Sequence, residues 1–381
     1  MKKSSLSRRD FLTRAGALAA VASVPTIAAA AVTNKTEPVK APEEAAPEKA
    51  AAAGVPKRQL GKTDLMLPVL SCGTGVGQAP NILNYAISKG VNFLHTSTGY
   101  ARGRSIKNVG EAIKDKRDQV IVGLKITWEP DDLTRMDAAL ADLGIETADI
   151  AFFNIHNAEQ VKQPKYEKAA EMLKKEGKCR YIGLTTHGDM KNCMDVALEQ
   201  GFYDALMPSY NLSMADECAE TFAKAAEKKV GVVLMKTQKG LDDEAYFAAM
   251  STYLDTPGIT TLLRTLSSFQ QINNMIGALE PSSEEERASV MRLARRLAEG
   301  QCAMCGACTQ ACPKGLPVAD LVRCSDYYMA RSEHFVSAQD TYAELAGSMK
   351  SACDDCGACE RVCARHVPVR HHVHRATRVL A

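Results

Sequence analysis

The chain has 381 residues, enough for one large domain and a small one. It is 46% hydrophobic and 24% charged with a formal net charge of +2, which argues against a disordered chain, a multispanning membrane protein or a nucleic-acid binder. Thirteen cysteines are the compositional outlier, and where they fall decides what they mean.

Residues 1–31 read as a targeting segment. Lys2, Lys3, Arg8 and Arg9 make a basic start, an uncharged Ala-rich stretch follows, and Ala28, Ala29 and Ala30 offer a small-residue cleavage site. The run Ser7-Arg8-Arg9-Asp10-Phe11-Leu12 resembles the twin-arginine export signal. An ordinary amphipathic start or a membrane anchor is the alternative. The resemblance implies export to the periplasm in a folded state, with at most peripheral or signal-anchor membrane association. Residues 32–56 are rich in Ala, Pro, Glu and Lys, lack apolar periodicity, and read as a disordered tether.

From 57 to 280 short β-rich apolar runs alternate with helical stretches. Strands are expected at 68–71, 92–95, 120–125, 150–155, 181–184, 205–207, 230–234 and 260–263. Helices are expected between them, among others at 166–175 with Gly177 as a stop, and at 215–228 with Cys218, Phe222 and Ala225 on one face. Eight such units in about 220 residues predict an α/β fold, a (β/α)8 TIM barrel. An open doubly wound sheet is disfavoured by the lack of a G-x-G-x-x-G after the first strand.

Residues 281–300 carry Glu284, Glu285 and Glu286, then Val290, Leu293 and Leu297, the pattern of a capped amphipathic linking helix. It leads into 301–381, where one cysteine run occurs twice. Cys302, Cys305, Cys308 and Cys312 form the first, followed by Pro313; Cys353, Cys356, Cys359 and Cys363 form the second. Each is C-x2-C-x2-C-x3-C, the bacterial iron–sulfur spacing. Three thiolates three residues apart, on a chain loosened by Gly306 and Gly357, can wrap three corners of a cubane. Zinc or disulfides fit poorly, because zinc favours two separated ligand pairs.

The repeated run resembles two-cluster bacterial ferredoxins, with Ala364 where a second proline would stand. That resemblance implies a small α+β ferredoxin-like domain with two 4Fe-4S clusters. Cys302, Cys305, Cys308 and Cys363 would hold one; Cys353, Cys356, Cys359 and Cys312 would hold the other. The remaining cysteines, Cys72, Cys179, Cys193, Cys218 and Cys324, read as buried thiols. The tail carries His371, His372 and His374; a basic solvated tail is the expectation, a histidine metal site the alternative.

A second resemblance rests on 57–63, on 69–75, and above all on Val91-Asn92-Phe93-Leu94-His95-Thr96-Ser97-Thr98-Gly99-Tyr100 with Gly103-Arg104-Ser105 and Val109-Gly110-Glu111-Ala112. These stretches look like an aldo-keto reductase. That family protonates a carbonyl with a tyrosine, whose pKa a lysine lowers, beside a histidine that polarises the oxygen. The resemblance implies Tyr100, Lys125 and His156 in these roles, each at a strand's carboxyl end. The family's aspartate falls on His95, which is expected to be neutral beside Lys125 and is a candidate for proton movement.

The same resemblance places cofactor contacts at Thr185, Thr186, His187, Tyr210, Arg264, Ser267 and Ser268. The nicotinamide-holding glutamine is replaced by Met207, whose thioether offers no amide. The expectation is therefore an exported iron–sulfur oxidoreductase. Electrons from a redox partner protein or quinol would reach a small carbonyl-type substrate through the clusters. Two alternatives stand beside it: a non-catalytic barrel scaffolding an electron-transfer subunit, and an NADP(H)-dependent reductase with tightly bound cofactor. A flavin could also carry electron pairs, although no motif is specific for it.

Overall fold

The computed structural model describes residues 54–329, 335–347, 349 and 351–381. The expected targeting segment and nearly all of the tether lie outside the described residues. No helix among those described is long and apolar enough to cross a membrane.

Eight parallel strands close into a barrel in the order β10-β3-β4-β5-β6-β7-β8-β9. They are β3 (Leu70–Gly73), β4 (Phe93–Ser97), β5 (Ile121–Ile126), β6 (Ala148–Ile155), β7 (Cys179–Thr186), β8 (Ala205–Pro208), β9 (Gly231–Met235) and β10 (Ile259–Arg264). Helices on the outside separate them, as the alternating apolar pattern requires. The first strand starts later than expected. Pro68 ends an antiparallel hairpin, β1 (Lys57–Gln59) with β2 (Met66–Pro68), and the barrel strand begins beyond it. A proline lacks the N–H that a central strand must donate.

The hairpin plugs the barrel floor. Leu60, Leu65 and Leu67 join Phe93, Ile150, Phe152, Met207 and Val233 in the interior. Space for the rings comes from missing side chains. A Cβ on Gly183 would run into the ring of Phe152, and one on Gly123 would come within 3.0 Å of Phe93. Such interiors are packed cores, not pores.

Helix Glu284–Ala298 then joins the barrel to the C-terminal segment. Ser283 and Glu286 form a reciprocal capping box at its start. The C-terminal segment departs from the expected α+β ferredoxin-like fold: among the described residues 301–381 contain helices and no strand. The reason lies between the cysteines. Leu316-Pro317-Val318 and Val367-Pro368-Val369 each start a helix, Val318–Met329 and Val369–Val379, with proline fixing the entry. Buried Val318, Leu321, Val322 and Ser325 recur at helical spacing.

The two halves repeat each other. Met304 and Asp355, Gly306 and Gly357, and Gly315 and His366 occupy equivalent places after the first cysteine of their run, and all have left-handed backbones. The expected solvated tail is likewise a docked helix, burying Val369, Val373 and Ala376.

One apolar core spans barrel and C-terminal segment. Met304, Leu316, Val318, Leu321 and Val322 belong to the same buried cluster as Tyr210, Phe222 and Tyr253. Polar stitches reinforce it. Asp189 N donates to Met304 O at 2.7 Å, and Arg365 donates to Ser213 Oγ and Ser213 O, each at 2.9 Å. Arg365 also pairs with Glu217 at 2.5 Å, and Lys239 with Asp326 at 2.7 Å.

Gly183→Ala tests the interior packing. It should destabilise the protein by about 1–3 kcal/mol, read as a lower urea midpoint. Adding Phe152→Leu should recover part of that loss; no recovery would show that the ring is not the obstacle.

Candidate active site

The mouth of the barrel opens into a cavity of about 590 Å³, roofed by the C-terminal segment. Its barrel wall includes His95, Tyr100, Lys125, Asn154, His156 and His187; its roof includes Cys302, Met304, Arg323, Asp326, Tyr327 and Glu344. All four expected catalytic residues therefore face one space.

Tyr100 stands just past β4 on a tight turn. Ala101 and Arg102, with φ of 49° and 56°, are in the left-handed region that non-glycine residues avoid. A knot of hydroxyls anchors the turn. Ser105 Oγ lies 2.7 Å from Thr74 Oγ1 and 2.8 Å from Thr96 Oγ1, and donates to Thr74 O at 2.8 Å. This ties β3, β4 and helix Arg104–Ile113 together below Tyr100. From above, Arg102 lies 4.0 Å from Asp340 on helix Phe335–Ala346.

Lys125 sits on β5, in register with Ser97. Its Nζ is 5.7 Å from the centre of the Tyr100 ring. The residue is 9% exposed, and no carboxylate pairs with it among the described residues. Burial, then Arg323, pulls its pKa down to about 8. Tyr100 moves the other way: burial, then Tyr327 and Glu344, raises it, so the phenol is protonated at neutral pH.

His95 is 2% exposed and lies edge-on to Phe152, with ring centres 5.5 Å apart. Its Nε2 is buried without a hydrogen-bond partner. Burial, then Lys125, pushes its pKa down to about 3, so it is neutral. His156 follows β6 and opens into the cavity. Its Nε2 lies 3.2 Å from Asn154 Nδ2, and its backbone N–H donates to Gln160 Oε1 at 2.8 Å. Loss of solvation lowers its pKa, while Asp320 opposes the shift. His187 also lines the cavity, with Nδ1 buried and unpaired and its pKa lowered by burial, then by Arg323 and Lys125.

Of the expected nicotinamide contacts, His187 and Arg264 line the cavity and the others do not. Tyr210 is turned away into the core, edge-on to Phe222 at 5.0 Å and to Tyr253 at 6.0 Å, while its neighbours Ser209 and Asn211 face the cavity. One step along an extended chain reverses the face, and the large ring took the buried one. Met207 and Thr185 are fully buried in the barrel. Ser268 caps helix Phe269–Gly277, accepting from Gln271 N at 3.1 Å, and Ser267 N donates to Gln271 Oε1 at 2.8 Å. Thr186 bonds Gly188 O at 2.7 Å. Arg264 does reach the cavity, but it donates to Gln238 and stacks 4.4 Å from the Tyr246 ring centre. Tyr210 is thus out of reach and Met207 offers no amide, while Thr185 Oγ1, Arg264 Nε and Ser267 Oγ are buried without partners among the described residues.

The cysteines fit metal better. Cys312, Cys353, Cys356 and Cys359 surround one small cavity, the set expected for the second cluster. In the other set, Cys302 and Cys305 both act on the titration of Cys308. Cys302 Sγ accepts from Met304 N at 3.3 Å and Cys363 Sγ from Val367 N at 3.4 Å, the kind of N–H···S bond that orients a ligating thiolate. Cys72, Cys179, Cys193, Cys218 and Cys324 are all buried, and burial pushes the Cys72 thiol up to about 12. His374 Nε2 lies 2.6 Å from Asp355 Oδ1, near Cys353. His372 turns instead to Ser325 Oγ at 3.1 Å and His371 to Arg375, so the three histidines form no common site.

Arg323 and Tyr327 had no signal in the sequence. They lie between the cysteine runs, and only the repeat of Leu-Pro-Val and Val-Pro-Val would have placed a helix there.

A model of the Aldo/keto reductase family matches residues 77–243. An uncharacterized oxidoreductase of Bacillus subtilis (strain 168), YqkF, is 31% identical over 148 residues, covering 34% of this chain. The chain spans about half the length of that relative, 48%. Among solved structures, aldo-keto reductase AKR11C1 from Bacillus halodurans aligns with a TM-score of 0.57 at 21% identity, over 66% of this chain and 99% of that one. An aldo/keto reductase from Klebsiella pneumoniae, solved in complex with NADP and acetate, aligns with a TM-score of 0.55 at 19% identity, over 63% and 96%. At such identities the structures establish the shared fold. The sequence match across 77–243 makes that part of the barrel similar to the Aldo/keto reductase family.

Proposed function

We propose that the chain is an iron–sulfur oxidoreductase of the aldo/keto reductase type. It would be exported to the periplasm by the twin-arginine route. It would pass electrons from a redox partner protein or quinol through two 4Fe-4S clusters to a carbonyl-type substrate at the barrel mouth. The observation that carries this reading is that Cys302, Ala303 and Met304 line the same cavity as Tyr100, Lys125 and His156. A barrel that only scaffolded an electron carrier would not need a proton donor, a lysine and a histidine turned to the cysteine-bearing roof.

The two cysteine sets would hold the clusters, which supply electrons one at a time. The barrel residues handle the protons. Turning the carbonyl into an alcohol would take two electrons, delivered one after the other, and two protons: Tyr100, kept protonated by burial, holds the one for oxygen, and solvent supplies the one for carbon. Lys125, 5.7 Å from the ring centre, steadies the phenolate left behind when it is charged. His156, at the rim, is placed to hydrogen-bond the carbonyl oxygen. His95 is neutral and cannot anchor Lys125 as a carboxylate would, so this lysine loses its charge at unusually low pH.

Three outcomes are expected. Tyr100→Phe should lower kcat with a reduced electron donor by about 10²–10⁴-fold; unaffected turnover would refute the catalytic reading. The wild-type rate should fall as pH rises through about 8, as Lys125 deprotonates. His95→Asp places a negative charge beside that ammonium, favours its protonated form and should move the alkaline limb upward; an unmoved limb would assign it to another group.

Iron analysis checks the metal sites. The loaded protein should carry about eight iron per chain, and Cys312→Ser about four. Four in the unaltered protein would contradict the pairing. NADPH should not bind: titration should leave the nucleotide's fluorescence unchanged, and saturable binding would favour the nicotinamide-dependent alternative.

A further inference from the structure

The roof of the cavity contributes a charge that the barrel lacks. Arg323, on helix Val318–Met329, has its side chain 11% exposed. One terminal nitrogen donates to Asp320 Oδ1 at 2.6 Å, while Nε is buried with no partner among the described residues. Opposite it stands Lys125, 9% exposed and with no carboxylate paired to it among the described residues. Lys236 completes the group, with Nζ 4.3 Å from the centre of the Tyr327 ring.

Three carboxylates also line this cavity: Asp326, Asp340 and Glu344. Asp326 is held by Lys239 at 2.7 Å, and Asp340 lies 4.0 Å from Arg102. With Asp320 paired to Arg323, that leaves Glu344 as the cavity-lining carboxylate for Lys125 and Lys236, while Arg323 Nε still lacks a partner among the described residues. Buried cations in excess of their counter-ions are costly, and a site that keeps them usually receives an anion. Two buried imidazole nitrogens, His95 Nε2 and His187 Nδ1, also lack partners. The remaining wall is soft and apolar, with Met190, Met214, Met235 and Leu263. The volume, about 590 Å³, suits a small organic molecule.

We infer that the cavity takes an organic carboxylate, a 2-oxo acid with an apolar body, and that the Arg323 guanidinium anchors its carboxylate beside Lys125 while the carbonyl faces Tyr100 and His156. A guanidinium suits this task because its planar fork matches a carboxylate. The charge of Arg323 already reaches the barrel residues, lowering the pKa of Lys125, His156 and His187. The inference deepens the reading of the site as one that reduces carbonyls, but its test does not depend on turnover.

The experiment is calorimetric titration of the full, metal-loaded chain with glyoxylate, pyruvate, phenylpyruvate and 2-oxoglutarate, each beside its methyl ester, and with inorganic phosphate. At least one acid should bind about tenfold or more tightly than its ester. Arg323→Gln should abolish that preference while leaving ester binding unchanged, and Arg323→Lys should retain part of it. Iron content and melting temperature accompany each variant. Lys236→Gln, on the barrel side, provides the same readout if Arg323→Gln does not fold. Equal binding of every acid and its ester, an equal loss of both in the variants, or phosphate binding as tightly as the best acid would overturn the inference. An acid that binds through Arg323 but is never reduced would leave it standing and remove the catalytic reading.

Discussion

Lys125 and Arg323 occupy one cavity with a neutral imidazole where a carboxylate would be expected to balance them. That imbalance governs the rest of the site. Added to burial, it brings Lys125 close to losing its proton and makes the space above attractive to negative charge, while burial keeps Tyr100 a phenol against the pull of Arg323. A carboxylate in place of His95 would hold Lys125 charged within the barrel alone. With His95 there, the charge state of the mouth depends on what comes from outside it. The nearest outside charges come from the roof: Arg323 depresses Lys125, while Glu344 opposes that effect.

The roof is therefore part of the site and not an appendage beside it. Helix Val318–Met329 buries Val318, Leu321 and Val322 in the common core and turns Arg323, Asp326 and Tyr327 to the cavity. Helix Phe335–Ala346 reaches the strained turn that carries Tyr100, through Asp340 and Arg102. The same segment brings Cys302 to the cavity wall. Tyr100, Lys125 and His156 from the barrel and the cysteine-bearing start of the C-terminal segment thus meet across one space. Neither half has that arrangement alone.

Much of this was legible in the sequence, for identifiable reasons. Eight β-rich runs separated by helical stretches match the count and size of a closed (β/α)8 barrel. The cysteine spacing, the Ser283–Glu286 cap and the stretch from Val91 to Tyr100 are local patterns that depend on few distant contacts. What was missed depended on parity or on partners far away. Tyr210 was expected at the cavity, but Ser209 and Asn211 face it, because alternation along an extended chain sends the middle ring to the core. Ser268 looked like an anion ligand, but helix Phe269–Gly277 uses its hydroxyl for its own start. Arg323 carried no signal, since an arginine in an amphipathic helix normally points to water. The α+β expectation failed because the spacing between ligands says nothing about the chain between them. There, Pro317 and Pro368 open helices.

Arg365 has a consequence of another kind. It lies two residues after Cys363, holds Ser213 and Glu217 on the barrel, and its carbonyl accepts the N–H of Gly300 at 2.7 Å, two residues before Cys302. On the proposed pairing, Cys302 and Cys363 belong to one set, so the two ends of that set are brought together by a residue seated on the barrel. On that pairing, closure of the set is tied through Arg365 to the folded barrel. A half-built barrel would present the thiols of two separate strings to whatever oxidant or wrong metal arrived first.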